Sequence, residues 1–219
     1  MGLAQYYEEP EFPFYGLGFL IMLHMFYIMW HVLASLTYEG KTQIWLHNPN
    51  SMILLLGSKI VIACFSVIFS LIFLLVFNFL SIQLYTNLLG LTIQDFFDIT
   101  TSVFLTSVYL GLWAIFYWSL YYVLLRFLNK VITSIVVAVL VYVTTILHAS
   151  FGNTLFYKTL LEMGPTPIKL YHSIIDFNQG IAHQLSFDST SIGLITFYSL
   201  VAFILFFASV ILLNKKVEV

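Results

Sequence analysis

Long apolar runs separated by short polar connections set the pattern of this chain. Several runs reach about 20 residues, long enough for a helix to cross a hydrocarbon core roughly 30 Å thick. The pattern predicts five membrane spans, Tyr15–Leu36, Ile53–Leu80, Ile99–Leu125, Val131–Ala149 and Ile192–Leu213. Scattered Ser, Thr and Asn inside them are compatible with spanning, because a helix satisfies its own backbone and small polar side chains bond a neighbouring turn or helix. None of the five carries a charge at its middle. The expected fold is a single all-α integral membrane domain over residues 1–219.

Composition agrees with the pattern and excludes a water-soluble domain. Apolar residues make up 61% of the chain and charged residues 8%, which leaves too little polar surface to face water. Charge then orients the spans, because short Lys- and Arg-bearing segments resist translocation. Lys41 and Lys59 flank the first connection, Arg126 and Lys130 the third, and Lys215 and Lys216 follow the last span. The acidic residues Glu8, Glu9, Glu11, Asp95, Asp98, Glu162, Asp176 and Asp188 gather on the other side, offset by Lys158 and Lys169. The expectation is a cell-membrane protein with its N-terminus outside and its C-terminus in the cytoplasm. The acidic, aromatic start lacks the basic beginning of a cleavable signal, and its Tyr6, Tyr7, Phe12 and Phe14 suit an anchor in the headgroup layer. A single cysteine, Cys64, permits no internal disulfide, and no basic cluster points to nucleic acid.

The connection after the first span reads TYEGKTQIWLHNPNSMILLLGS, from Thr37 to Ser58. Ile44, Trp45 and Leu46 suit a short interfacial helix within Thr42–His47 that stops before Pro49, since the residue preceding proline avoids helical geometry. Asn50 or Ser51 is then placed to cap the second span. Read on periodicity alone, the stretch is more readily an amphipathic loop resting on headgroups.

In order along this stretch stand Glu39 and Gly40, the bulky pair Trp45 and Leu46, Pro49, Ser51, the apolar Leu54–Leu56, Gly57 and Lys59. That succession resembles the conserved region of type-2 ABC exporter permeases. The resemblance implies a coupling helix ahead of the proline that sits in a groove of a separate ATP-binding subunit. Within the segment 37–51, the residues it assigns to that contact are Glu39, Gly40, Lys41, Thr42, Trp45, Leu46 and Pro49. The chain departs from the pattern where Gly57 stands two residues before Lys59 and where Lys41 replaces a small polar residue. Members of that family typically have six helices with the N-terminus inside, whereas this chain begins as though at the second. The resemblance also implies a second permease chain, the same or different, and ATP hydrolysis in a partner.

Between the last two spans, residues 150–191 form a connection too long to be expected without structure. Leu155, Phe156, Leu160 and Leu161 fall at helical spacing before Gly164, Pro165 and Pro167, and Ile168, Leu170, Ile174, Ile175 and Phe177 follow. Two short helices broken at Gly164–Pro167, possible entrants to the bilayer, are expected, the second packing on the last span. Type-2 exporter permeases carry such a pair at this place.

Few residues suggest chemistry of their own. No GxxxxGK[ST] loop is present, so the expectation is a non-enzyme that needs no cofactor and leaves nucleotide binding to another chain. His24 and His31, seven apart on one face of the first span, together with His148 raise a haem or metal alternative, although a polar contact between helices is the commoner fate of such side chains. His172 and His183 lie near Asp176 and Asp188 without a regular ligand spacing. Asp95 and Asp98 are expected at the membrane edge, capping the third span. The rival to a transporter is therefore a scaffold subunit or small membrane enzyme.

Overall fold

The computed structural model describes residues 19–20, 23–42, 51–82, 93–176 and 182–217. In chain order the elements are α1 (Tyr27–Thr42), α2 (Met52–Ile82), α3 (Ile93–Leu124), α4 (Lys130–Phe151), α5 (Leu155–Glu162), strands β1 (Pro165–Asp176) and β2 (Ala182–Ser191), and α6 (Ile192–Val217). Helical residues also precede α1, up to a turn at Phe26. Four helices, α2, α3, α4 and α6, are long and apolar enough to cross a membrane. The protein is a helical membrane-embedded domain. The first part of the expected Tyr15–Leu36 span lies outside the described residues, and its second part is α1.

Helix α3 is the hub, packing against α1, α2, α4 and α6. The core follows from helical stripes that meet there. Ile28, Val32 and Leu36 of α1, Met52, Leu56, Ala63, Val67 and Leu71 of α2, and Ile99, Val103 and Ile115 of α3 form one buried cluster with Val210 and Leu213 of α6. Gly111 lets α1 come close to α3, since a Cβ there would lie 2.5 Å from Ile28 Cγ2. Large apolar side chains such as Phe65, Phe69 and Phe73 of α2 remain exposed on the outside, as a lipid-facing surface requires.

Helix α4 touches the bundle along α3 and buries Thr133 alone. Its start is capped by Asn129, whose side chain accepts from Ile132 N at 2.9 Å. Partway along, Thr144 Oγ1 lies 2.9 Å from the carbonyls of Leu140 and Val141, to which it donates, so Tyr117 is the donor in the bond between the Tyr117 and Thr144 hydroxyls.

Three expectations are corrected. The helix expected to end at Leu36 continues to Thr42, so Thr37–Thr42 belongs to α1 and not to a separate connection. Helix α3 begins at Ile93, ahead of the membrane span, so Asp98 lies inside the helix and not at its cap, where it is buried and accepts from Gln94 Nε2 at 3.1 Å. The second of the expected short helices, Ile168–Phe177, is not formed: α5 supplies the first, but Pro165–Asp176 is a strand paired antiparallel with Ala182–Ser191, and it packs chiefly on α3, while β2 meets the last helix. Phe177 itself lies outside the described residues.

The hairpin has a local cause. Gly164 adopts φ 68°, a left-handed conformation that favours glycine and turns the chain out of α5. Pro165 and Pro167 then lack the backbone donors a helix would use. In β2, Leu185 and Phe187 alternate with Gln184, Ser186 and Asp188, the period of a strand. Ser191 fixes the hairpin's end to the next helix, because its hydroxyl donates to Leu160 O at 2.6 Å and accepts from Leu194 N at 3.1 Å.

Candidate functional site

The charged residues of the first connection meet at the base of α1 and α2. Glu39 falls on the α1 stripe that carries Val32, Ser35 and Leu36, and Lys59 falls on the α2 stripe between Leu56 and Ala63. Lys59 is 8% exposed. An ammonium in that position needs a partner, because an uncompensated charge in an apolar interior costs several kcal/mol, of order 3–5 when a pair is broken. It has two: Lys59 Nζ pairs with Glu39 Oε1 and donates to Ser35 Oγ at 2.8 Å.

The next residue, Gly40, brings α1 against α3. A Cβ at Gly40 would lie 2.9 Å from Tyr122 Oη and 3.4 Å from Trp118, whose ring packs on that of Tyr122 with centroids 4.3 Å apart. Beside Glu39, a void of about 10 Å³ lies among Leu36, Met52, Leu55, Trp118 and Leu213, about enough for one water molecule. Helices α1, α2, α3 and α6 therefore converge at the Glu39–Lys59 pair.

Of the residues expected to touch a partner, Glu39 and Gly40 are drawn into this packed base. Glu39 is a quarter exposed at its side chain and faces Lys59. Lys41 and Thr42 close α1. Trp45, Leu46 and Pro49 lie outside the described residues. Ser51, one of the two expected caps, has its hydroxyl 3.5 Å from Leu54 N at the start of α2. The segment 43–50 is thus carried between two helices that the Glu39–Lys59 pair fastens together.

Sequence reasoning missed the pairing, taking Lys59 as a charge flanking the connection. The signal was present. Met52, Leu56, Lys59, Ala63 and Val67 recur at spacings of four and three, so Lys59 is in phase with the core face and had to find an acid there.

The histidines are placed separately. His24 Nδ1 lies 2.7 Å from Leu20 O, which only accepts, so that nitrogen carries the proton and Nε2 faces Ser70 Oγ at 2.8 Å. Both ring nitrogens of His24 are engaged. His31 Nδ1 is buried with no hydrogen-bond partner among the described residues. The His148 ring packs against Tyr109 of α3 and Tyr198 of α6, at centroid distances of 6.0 and 5.8 Å. Among the described residues no three His, Cys, Asp or Glu side chains come together as a metal site. An open groove of about 540 Å³ runs along α1, lined by Leu23, Phe26, Tyr27, Trp30, His31, Ala34 and Ser35.

Comparison with known proteins gives no match. No family model, curated protein or solved structure matches the chain.

Proposed function

We propose that this protein is the membrane-spanning permease subunit of an ATP-driven exporter, working with a separate ATP-binding subunit and a second permease chain, the same or different. The observation that carries the reading is the meeting of Glu39 with Lys59. These residues are the two charged ends of the stretch that resembles the coupling region of type-2 ABC exporter permeases, and they close on each other across the segment that contains Trp45, Leu46 and Pro49. A segment held at both ends by paired helices transmits a push to those helices, whereas a loosely tethered loop would absorb it. ATP binding and hydrolysis take place in the partner, and the permease supplies the two arrangements whose balance the nucleotide shifts.

In this reading the segment 43–50 faces the cytoplasm, with the N-terminus outside and the C-terminus inside a cell membrane. Glu39 acts as a brace, and the contact with the partner falls on Lys41, Thr42, Trp45, Leu46 and Pro49. The apolar, aromatic groove along α1 supports a hydrophobic or amphipathic cargo such as a peptide, lipid or drug.

The test compares two substitutions in the same segment. Buried aromatic anchors dominate interface energy, and truncating one costs roughly 2 kcal/mol or more. An exposed ion pair contributes at most about 1 kcal/mol. Trp45→Ala is expected to release the ATPase in mild detergent or abolish its stimulation, and Lys41→Ala to retain most of both. Equal retention of ATPase and stimulation by Trp45→Ala and the unmodified protein would rule out this contact.

A further inference from the structure

We infer that the helix leading into α1 is hinged at Phe26, so that the described residues before Phe26 shift relative to Tyr27–Thr42, which is fastened to α3 and to the base of α2. The helix is interrupted there. Phe26 N donates to Leu23 O at 3.1 Å, a tight three-residue closure, and regular spacing resumes where Trp30 N donates to Phe26 O at 2.9 Å. Between them, Ile28 N donates to Ser107 Oγ on α3 at 3.2 Å. The local sequence, Leu23-His24-Met25-Phe26-Tyr27, contains neither glycine nor proline. The break is therefore imposed by packing, through a side-chain hydroxyl inserted at the backbone ladder.

Its depth makes the break unusual. Phe26 is 13 residues before Glu39, roughly 20 Å along a helix at 1.5 Å per residue. That lies inside a hydrocarbon core about 30 Å thick, where an open turn persists only if protein shields and satisfies it. Ser107 does so on one side and His24, bonded to Leu20 O and Ser70, on the other.

The two sides of the break hold different neighbours. Below it, Ile28 sits over Gly111, Gly40 over Trp118 and Tyr122, and Glu39 on Lys59, which locks α1 to α3 and to the base of α2. Above it, among the described residues, His24 bonds to Ser70 on α2 and Met25 packs against the core cluster. The lower half is thus pinned to α3 as well as to α2 and the upper half has its side-chain bond on α2, and the interrupted ladder between them is where the helix bends. The inference concerns this chain alone and holds whether or not an ATPase is its partner.

Distances between spin labels on the protein in lipid nanodiscs test it, with Cys64→Ala as background. One pair, Thr37→Cys with Phe127→Cys, reports on the lower body, and the other, Leu20→Cys with Phe97→Cys, spans the hinge. These four positions are exposed. The lower pair is expected to give one narrow distance distribution and the upper pair a broader or two-peaked one. An upper distribution as narrow as the lower, or a lower one as broad as the upper, would overturn the hinge. Ser107→Ala in the upper pair supplies the second readout: loss of the inserted hydroxyl is expected to narrow the distribution by letting the ladder close, and no change would also count against it.

Discussion

Lys59 reaches from the core face of α2 to Glu39 on α1, twenty residues earlier in the chain, and also donates a hydrogen bond to Ser35. The two charges lie within the same apolar packing as Leu36, Met52 and Leu56. Neither is there at no cost, since each gives up hydration that the pairing must offset.

Removing one partner is therefore expected to hurt more than removing both. Lys59→Met leaves the carboxylate facing an apolar wall and should destabilise by about 3–5 kcal/mol, while Glu39→Gln with Lys59→Met should recover most of the loss. Thermal inactivation in mild detergent of both single variants and the double variant measures this. A double variant as weak as Lys59→Met would show that the pair is not the stabilising unit.

A similar comparison applies to the close approach of α1 and α3. Gly111→Ala places a methyl 2.5 Å from Ile28 Cγ2 and should cost about 1–3 kcal/mol by overpacking. Adding Ile28→Ala removes the obstructing carbon while opening a core cavity, so the double variant should lose less stability than the two single losses added together. By contrast Tyr117→Phe, which removes the bond to Thr144, should cost only about 0.6 kcal/mol, the usual size for one hydrogen bond between membrane helices. The order of the unfolding temperatures of these variants checks both estimates.

Much of this architecture was legible in the sequence because the bilayer demands long apolar helices, and α2, α3, α4 and α6 fall on predicted spans. What linear reading lost was phase. Lys59 looked like a flanking charge although its spacing from Leu56 and Ala63 put it in the core, and Ile168–Ile175 looked helical although β2 alternated strictly at Leu185 and Phe187. A strand is specified partly by its partner across the turn, which single-segment periodicity does not see. The interruption at Phe26 had no local signal, since it depends on Ser107, 79 residues away from Ile28.

At the hairpin's entry, Gly164→Ala should destabilise by roughly 1–2 kcal/mol, because an alanine at φ 68° carries the left-handed penalty. Its Cβ would also lie 3.3 Å from Ile192 Cδ1 at the start of α6. Limited proteolysis should cut Gly164→Ala faster within 165–191 than the unmodified protein. Equal cutting rates would mean that the turn does not control the hairpin.

The central claim is that this protein is half of a machine whose ATPase is another chain. Affinity purification from its native membrane in mild detergent, followed by mass spectrometry of what accompanies it, tests that claim most directly. The account predicts a stoichiometric partner containing a GxxxxGK[ST] loop, which binds phosphates through its backbone amides and lysine, and predicts that Trp45→Ala loses it. Recovery of the intact protein without any such nucleotide-binding partner would contradict the account.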